Sequence, residues 1–489
     1  MVKEKAADEL YLQQEGDRIQ QQYANQQFRD NQFGQQKALG PNADKLGWTR
    51  IKDIDNQAGR NGQAVTQIKI FDEGISAVDI KQGGLGDCYL LSAMSVIAHS
   101  RPDLIQKIFH PASRQYNDTG LYTIMFFRNR KPCIITIDDM FPTNRNNHHA
   151  YVQIGVNEQG TKECWAMMIE KAYAKMYGSY PNIDGGLVDE ALADLTNGAP
   201  YRYDLTDPEV KKMYNSGEFW NKLVFWSSKN YLLGAGSPAG SDADVSPLGI
   251  VQGHAYSILD VCEIEGNKLV QLRNPWGDET EWKGPWGDSS SEWTERRRRI
   301  VYDRMQQKGY QLSEIGKNDG IFWMSVSDFF KNFEQLFLCR FFSEEYQEIN
   351  YQSEWSKAKG TAGGCCNFNS VGQNPQLKLQ VTGNGPVEIF CFLLVEQPVG
   401  GQSNENLGIG FQIYDLKGQK IKDRRMPEAV VENHRGYMVA RSVSLDSTIK
   451  PSANPYTLLI TTFENNQEAK FNFTLWYNKN QGTVTLNEF

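Results

Sequence analysis

From about Trp355 onward the apolar residues stop recurring at helical spacing and alternate instead. The runs PQLKLQV, VEIFCFLLV, IGFQIYDL, YMVARSV, YTLLITTF and KFNFTLWY are separated by turns rich in Gly, Asn and Pro. Short alternating runs at that rhythm bury their apolar sides by pairing face to face, so an all-β antiparallel sandwich is expected over residues 344–489. The text before it is mixed. After Trp48 come a Gly-rich loop, the helix-like YLLSAMSVIAHS with Leu91, Met94 and Ala98 at helical spacing, and strand-like LYTIMFF and CIITI. A Gly/Pro break at TNGAPYR, near residue 200, precedes a second region dominated by strands, among them AYSILDVCEI and KLVQLRN. Residues 1–45 are rich in Gln and poor in large aliphatics, with Leu12, Ile19 and Tyr23 able to share one helix face, and read as a loosely held helix and tail.

A chain of 489 residues with this α+β-then-β organisation has room for two or three cores. The formal net charge of -8 offers no basic footprint, which argues against nucleic acid as a partner. The amino terminus is charged where a signal peptide is apolar, and no apolar run approaches the roughly 20 residues of a spanning helix. The eight cysteines show no CxxC pair and no metal-ligand spacing, and read as reduced thiols. A soluble, cytoplasmic protein is therefore expected. No D-x-[DN]-x-[DN]-G loop occurs, so no EF-hand is encoded.

The segment QGGLGDCYLLSAMSVIA carries the most chemistry. Gly83, Gly84 and Gly86 allow a tight turn with backbone close to a substrate, and the apolar periodicity starts a helix near Cys88. A thiol there sits at the positive end of a helix dipole, where, with a nearby imidazolium, its pKa can fall from about 8.5 to between roughly 3.5 and 7.5, making the thiolate the resting species at neutral pH. Gln82 and the Cys88 backbone N–H would then serve as oxyanion donors. The plainer reading of a lone cysteine before an apolar helix is packing, so a partner base decides the matter. Of six histidines, His99, His110, His148, His149 and His434 stand in loop or helix-end contexts and read as solvated. His254 lies just before the strand AYSILDV. After a turn at Gly266 and Asn267 the strand KLVQLRN returns antiparallel and carries Asn274 back toward it. Nucleophile, base and orienting amide in that arrangement are the constellation of a Cys-His-Asn triad.

QGGLGDCYLL, GHAYSIL, LRNPWG and WGDSSSEW together resemble the protease core of the calpains, and the resemblance extends to EKAYAKMYGSYPNIDGG, DGIFWMSVSDF and GTAGGC, over roughly residues 28 to 489. It implies a two-half papain-like core, with Cys88 in residues 46–200 and His254 and Asn274 in residues 201–343, followed by a C2-like β-sandwich. It also implies a calcium-dependent endopeptidase performing limited proteolysis, in which calcium closes the two halves and Trp276 must leave the cleft. The calcium ligands implied are Asp79 and Glu163 with main-chain oxygens near Asp72 and Gly74, and Glu281, Asp288 and Asp319 with a main-chain oxygen near Lys317. Carboxylate and carbonyl oxygens suit that hard cation.

The chain departs from the family pattern in three ways. Ile321 stands where the family has an acid two positions after Asp319, so weak binding or none is expected at the second site, and with so few carboxylates an affinity of roughly micromolar or poorer is expected for calcium. The acidic loop of many members is replaced by the nearly uncharged VTGNGPVE, and no penta-EF-hand region follows the sandwich, so no small EF-hand subunit is implied. Protein substrates are the expected partners. The run Arg296 to Arg299 allows contact with phospholipid headgroups at a membrane surface, although a solvated basic face is the plainer reading. Two rival functions remain at this level. One is acyl transfer to an amine, as in transglutaminases, against which Asn274 in place of Asp speaks; the other is a silent scaffold that binds protein or membrane through its sandwich, against which the intact triad speaks.

Overall fold

The computed structural model describes residues 2–24, 26–54, 67–72, 74–153, 155–156, 160–309, 315–401, 407–432 and 436–489. His434 lies outside them. The chain divides into two compact units, one of residues 2–340 with 399–402 and the other of residues 341–398 with 403–489.

In the first unit a run of ten apolar or small residues, Tyr89 to Ala98, is buried on every side of the helix Cys88–Ser100. A helix apolar all round belongs in an interior, and this one packs against a six-stranded antiparallel sheet. The sheet runs, in spatial order, Ile321–Ser325, Asn267–Arg273, Ala255–Ile264, Leu232–Gly236, Gln335–Arg340 and Ala199–Asp204. Hydroxyls join helix to sheet: Ser257 Oγ donates to Ser92 O at 2.9 Å, and Arg273 Nη1 donates to Ser95 Oγ at 2.9 Å.

The expected strands Leu121–Arg128 and Lys131–Asp138 form a two-residue hairpin, and Ala255–Ile264 pairs with Asn267–Arg273. In the latter, the turn residues are Glu265 and Gly266, both with positive φ, while Asn267 already pairs with Ile264. The turn expected at Gly266 and Asn267 is thus one residue earlier, because a type I′ turn needs left-handed backbone at both central positions.

The amino-terminal region is more tightly held than its composition suggests. The helix Val2–Gln22 sets Leu12 against Met125 and Phe127. Phe28, Phe33, Leu39 and Ala43 are buried, and Lys175 pairs with Asp30 at 2.6 Å. His110, expected to be solvated, is 1% exposed beneath this helix, with Nε2 3.2 Å from Asp17.

The second unit is a two-sheet antiparallel sandwich. One sheet orders Tyr346–Trp355, Ala469–Asn478, Val387–Val395 and Ser442–Ile449. The other orders Val431–Glu432, Gly408–Tyr414, Tyr456–Thr462, Gln376–Gly383 and Gly482–Glu488. Their inward apolar residues make one core, from Leu377 and Ile389 to Phe473 and Val484. The run YMVARSV is split into Met438–Val439 and Ser442–Ile449, which pair in different sheets.

Candidate active site

Cys88 is the first residue of its helix, half-buried, with Asp87 as the cap residue before it. Two of the three glycines upstream are required by close approach of chains. A Cβ on Gly83 would lie 1.8 Å from Tyr151 O, and one on Gly86 would lie 2.2 Å from Asp184 Oδ1. Segment 80–84 is pinned from two sides. Gln153 N–H donates to Lys81 O at 2.7 Å and Gly84 N–H to Ala150 O at 2.9 Å, while Gln82 N–H donates to Pro275 O at 2.9 Å.

That last bond brings the loop of the nucleophile to the loop of the orienting amide. His254 is buried at the start of its strand, and its Nε2 lies 2.8 Å from Asn274 Oδ1. Asn274 Nδ2 donates to Thr280 O at 3.0 Å, which fixes the amide so that Oδ1 faces the ring. The imidazole therefore carries its proton on Nε2 and leaves the Nδ1 lone pair to accept another. The backbone N–H of Ala255, the residue after His254, reaches the Cys88 thiol. The strand hairpin thus joins imidazole and amide directly, and the thiol lies against the backbone of the residue after His254.

The electrostatics differ from the expected thiolate. Burial pushes the Cys88 thiol up to about 11, against the Ala255 and Tyr89 N–H groups that favour the anion, and Asp87 pushes it further. Burial likewise lowers His254 to about 4, against the Asn274 hydrogen bond that raises it. Both shifts favour the neutral pair, with the proton on sulfur and the imidazole as an uncharged base.

Gln82 Nε2 donates one hydrogen to Leu85 O at 2.8 Å, and Cys88, as the first helical residue, has an N–H without an intrahelical partner. The Trp276 ring lies 5.2 Å from the imidazole, tilted by 54°, and the Trp276 backbone N–H donates to Asn274 Oδ1 at 3.1 Å. The ring shields the His–Asn bond from water.

The residues implied as cation ligands gather in two acidic clusters. Asp72 N–H donates to Glu163 Oε1 at 3.0 Å, and Asp79 caps its own short turn through Ser76 N–H at 2.7 Å. Burial, then the charge of Asp79, push Glu163 up to about 8, and burial raises Asp79 to about 6. Asp72 pairs with Lys69 at 2.6 Å, and Gly74 follows in the loop leading to Asp79. In the second cluster, Gly320 N–H and Asp319 N–H donate to Glu281 Oε1 at 2.7 and 3.2 Å. Burial, then Asp288, push Glu281 up to about 8, and burial raises Asp288 to about 6. Lys317 O accepts from Asp319 N–H at 3.0 Å, and Ile321 is buried at the head of its strand. Among the described residues, no three His, Cys, Asp or Glu side chains converge in a metal-ligating arrangement. Both sets offer the carboxylate and carbonyl oxygens a hard cation takes, and in each the carboxyls raise one another.

Arg273 escaped the sequence reading. Fully buried beside Asn274, its guanidinium donates to Ile80 O at 2.5 Å and Ser95 Oγ at 2.9 Å, and acts on Asp79. Of the basic run, Arg296 and Arg297 pair with Glu265, and Arg298 donates to Ile315 O.

Residues 27–340 match the family model described as calpain family cysteine protease. The chain belongs to the calpain family. Residues 351–476 match calpain large subunit, domain III, so a calpain protease core is followed by a domain III sandwich. The calpain-type cysteine protease ADL1 of rice is 36% identical over 440 residues, covering 87% of this chain and 19% of its own. Calpain clp-4 of Caenorhabditis elegans is 30% identical over 468 residues, covering 86% of this chain and 62% of its own. Rat calpain-9 is 29% identical over 455 residues, covering 88% and 62%. This calpain chain spans about a fifth of the length of the rice relative and less than two thirds of the other two.

Proposed function

We propose that this chain is a calcium-dependent cysteine endopeptidase that performs limited proteolysis through Cys88, His254 and Asn274. The observation that carries the reading is the His254 Nε2 to Asn274 Oδ1 contact of 2.8 Å with the Cys88 thiol held by the neighbouring Ala255 N–H. With Nε2 tied to Asn274, His254 Nδ1 takes the thiol proton as sulfur attacks the scissile carbonyl, and returns it to the leaving amine. The Cys88 N–H and the second Gln82 amide hydrogen hold the oxyanion. Water then attacks the acyl-enzyme with His254 Nδ1 again as base, releasing a free carboxyl terminus.

Asp79 and Glu163, with main-chain oxygen near Asp72 and Gly74, would hold one calcium, and Glu281, Asp288 and Asp319, with Lys317 O, a second. The positive charge of calcium held there would relieve the crowded carboxylates of Glu163 and Glu281, and with it the two halves, 46–200 and 201–343, would close. Trp276, lying over the imidazole, gates the cleft and leaves when a substrate enters. Protein segments are the substrates. The eight free thiols support a reducing, cytoplasmic setting, which cell fractionation tests.

The test is casein-peptide release across a calcium titration by the wild type and Cys88→Ser. Equal release by both abandons the enzymatic reading in favour of a silent scaffold that binds protein or phospholipid through its sandwich. Release lost with Cys88→Ser but indifferent to calcium keeps the protease and discards the calcium mechanism.

A further inference from the structure

Directly behind the nucleophile lies a polar cluster that the triad does not use. Asp87, the residue before Cys88, is 1% exposed, and Glu170, on the helix Trp165–Tyr177, is 0% exposed. Their carboxyl groups face each other within hydrogen-bonding reach. Apart from this contact and the Asp87 backbone N–H, both side-chain oxygens of Asp87 and Oε2 of Glu170 have no hydrogen-bond partner among the described residues. Glu170 Oε1 accepts from Val152 N–H at 2.9 Å. Two ionised carboxylates are acceptors only and cannot bond each other. Two buried like charges this close cannot both remain ionised.

Every titratable group acting on the pair is acidic or neutral. Asp184, which accepts from Gly86 N–H at 3.1 Å, acts on Asp87 from the loop after the tyrosine-rich helix end. Tyr151 and Tyr180 face Glu170, with ring centroids 4.7 Å apart, and Tyr89 and Cys88 face Asp87 from the nucleophile helix. Among the described residues, no cation acts on either carboxyl.

We infer that Asp87 and Glu170 share a proton across a carboxyl–carboxylate hydrogen bond, and that this bond positions Cys88 by tying the head of its helix to the helix of Glu170. Both are positioning residues, and the inference extends the proposed function to how the nucleophile is held. Burial pushes Asp87 up to about 7, against the Glu170 hydrogen bond that holds it down, and burial and the Asp87 charge push Glu170 well above the usual range, so the pair keeps a proton, on the Glu170 side, at neutral pH. Loss of that proton on further rise in pH leaves two facing anions, one of them adjacent to the thiol.

Infrared difference spectroscopy on the full chain tests the proton, and the pH profile of Cys88 alkylation by iodoacetamide tests its consequence. The expected result is a protonated-carboxyl C=O component at pH 7 in the wild-type-minus-Glu170→Gln difference, from which the raised Glu163 and Glu281 cancel, together with a downward break in alkylation on the alkaline side that Glu170→Gln removes. The amide that this substitution introduces would donate to Asp87 at every pH, so the variant should alkylate at about the wild-type rate at pH 7. Asp87→Asn is the second variant, should Glu170→Gln fail to fold. The same band in Cys88→Ala shows the pair whether or not the chain is a protease. Absence of that component from the wild-type-minus-variant difference for both variants overturns the shared proton. A band that disappears with no change in the alkylation profile overturns the positioning role.

Discussion

Gly320→Ala tests whether Asn274 is held by backbone from the second acidic cluster. Gly320 has φ +82°, its O accepts Asn274 N–H at 2.9 Å, and its N–H donates to Glu281 at 2.7 Å. A Cβ there would stand 2.5 Å from Asn274 O, which is backbone and cannot rotate away. Left-handed backbone costs alanine about 1–2 kcal/mol. Relieving the clash needs a shift of roughly 1 Å, enough to weaken both backbone bonds at about 1 kcal/mol for the neutral one and about 1.5–3 kcal/mol for the one to the carboxyl. The expected loss of stability is about 3–6 kcal/mol if nothing relaxes, and less where the loop yields. Moving Asn274 by that distance misaligns His254, for which about a hundredfold loss in kcat/KM is expected. Gly217→Ala is the control, with φ +81° and nothing within 4 Å of its Cβ; it carries the strain without the clash and should keep full activity. Urea denaturation and hydrolysis of a fluorogenic peptide measure both quantities. If Gly320→Ala matches Gly217→Ala in both, the backbone bridge does not hold the triad.

Further expectations follow from the same geometry. Because His254 titrates near pH 4, kcat/KM should hold as pH falls through the usual histidine range and drop only near that value; a loss centred on pH 6.5 would contradict the buried base. The sign for stability is that of a lowered pKa: the unfolded imidazole takes up its proton first, so His254's contribution is present above pH 6.5 and is lost as pH falls toward 4, as denaturation midpoints across that window would show. Glu163→Gln should raise the melting temperature of metal-free protein at pH 7, because it removes a raised carboxyl whose folded-state cost grows with pH from about 4 to about 8, and should blunt any calcium-induced rise. Gln82→Ala should lower kcat by about a hundredfold with little change in KM, read from steady-state kinetics.

Much of the site was legible in one dimension because its parts are local. A glycine-rich turn before an apolar run locates the head of the Cys88 helix, and a two-strand hairpin brings Asn274 back to His254. What the sequence could not show depends on burial and on distant contacts. The thiolate was expected from the helix dipole, but desolvation is a property of the closed fold and pushes the thiol the other way. His110 looked solvated because the helix that covers it lies about ninety positions earlier. Asp87 and Glu170 are 83 positions apart, and neither has a local partner to mark it. The strand Tyr346–Trp355 escaped notice because it sits at a sheet edge, where half-exposed polar residues blur the alternation.

The stretch from Asp79 to Cys88 shows what kind of change this fold can absorb. Within ten residues it carries an acid of the first cluster, a carbonyl gripped by Arg273, the Gln82 amide and Cys88, and its backbone is fastened on one side to 150–153 and on the other to Pro275. Side chains there can be exchanged one at a time, each with its own local cost. Chain length cannot. One inserted or deleted residue would throw the fastenings on the two flanks out of step, so that no register could satisfy both. The segment therefore behaves as a ruler between the first acidic cluster and the sulfur, and its length is as much a functional property as the identity of Cys88.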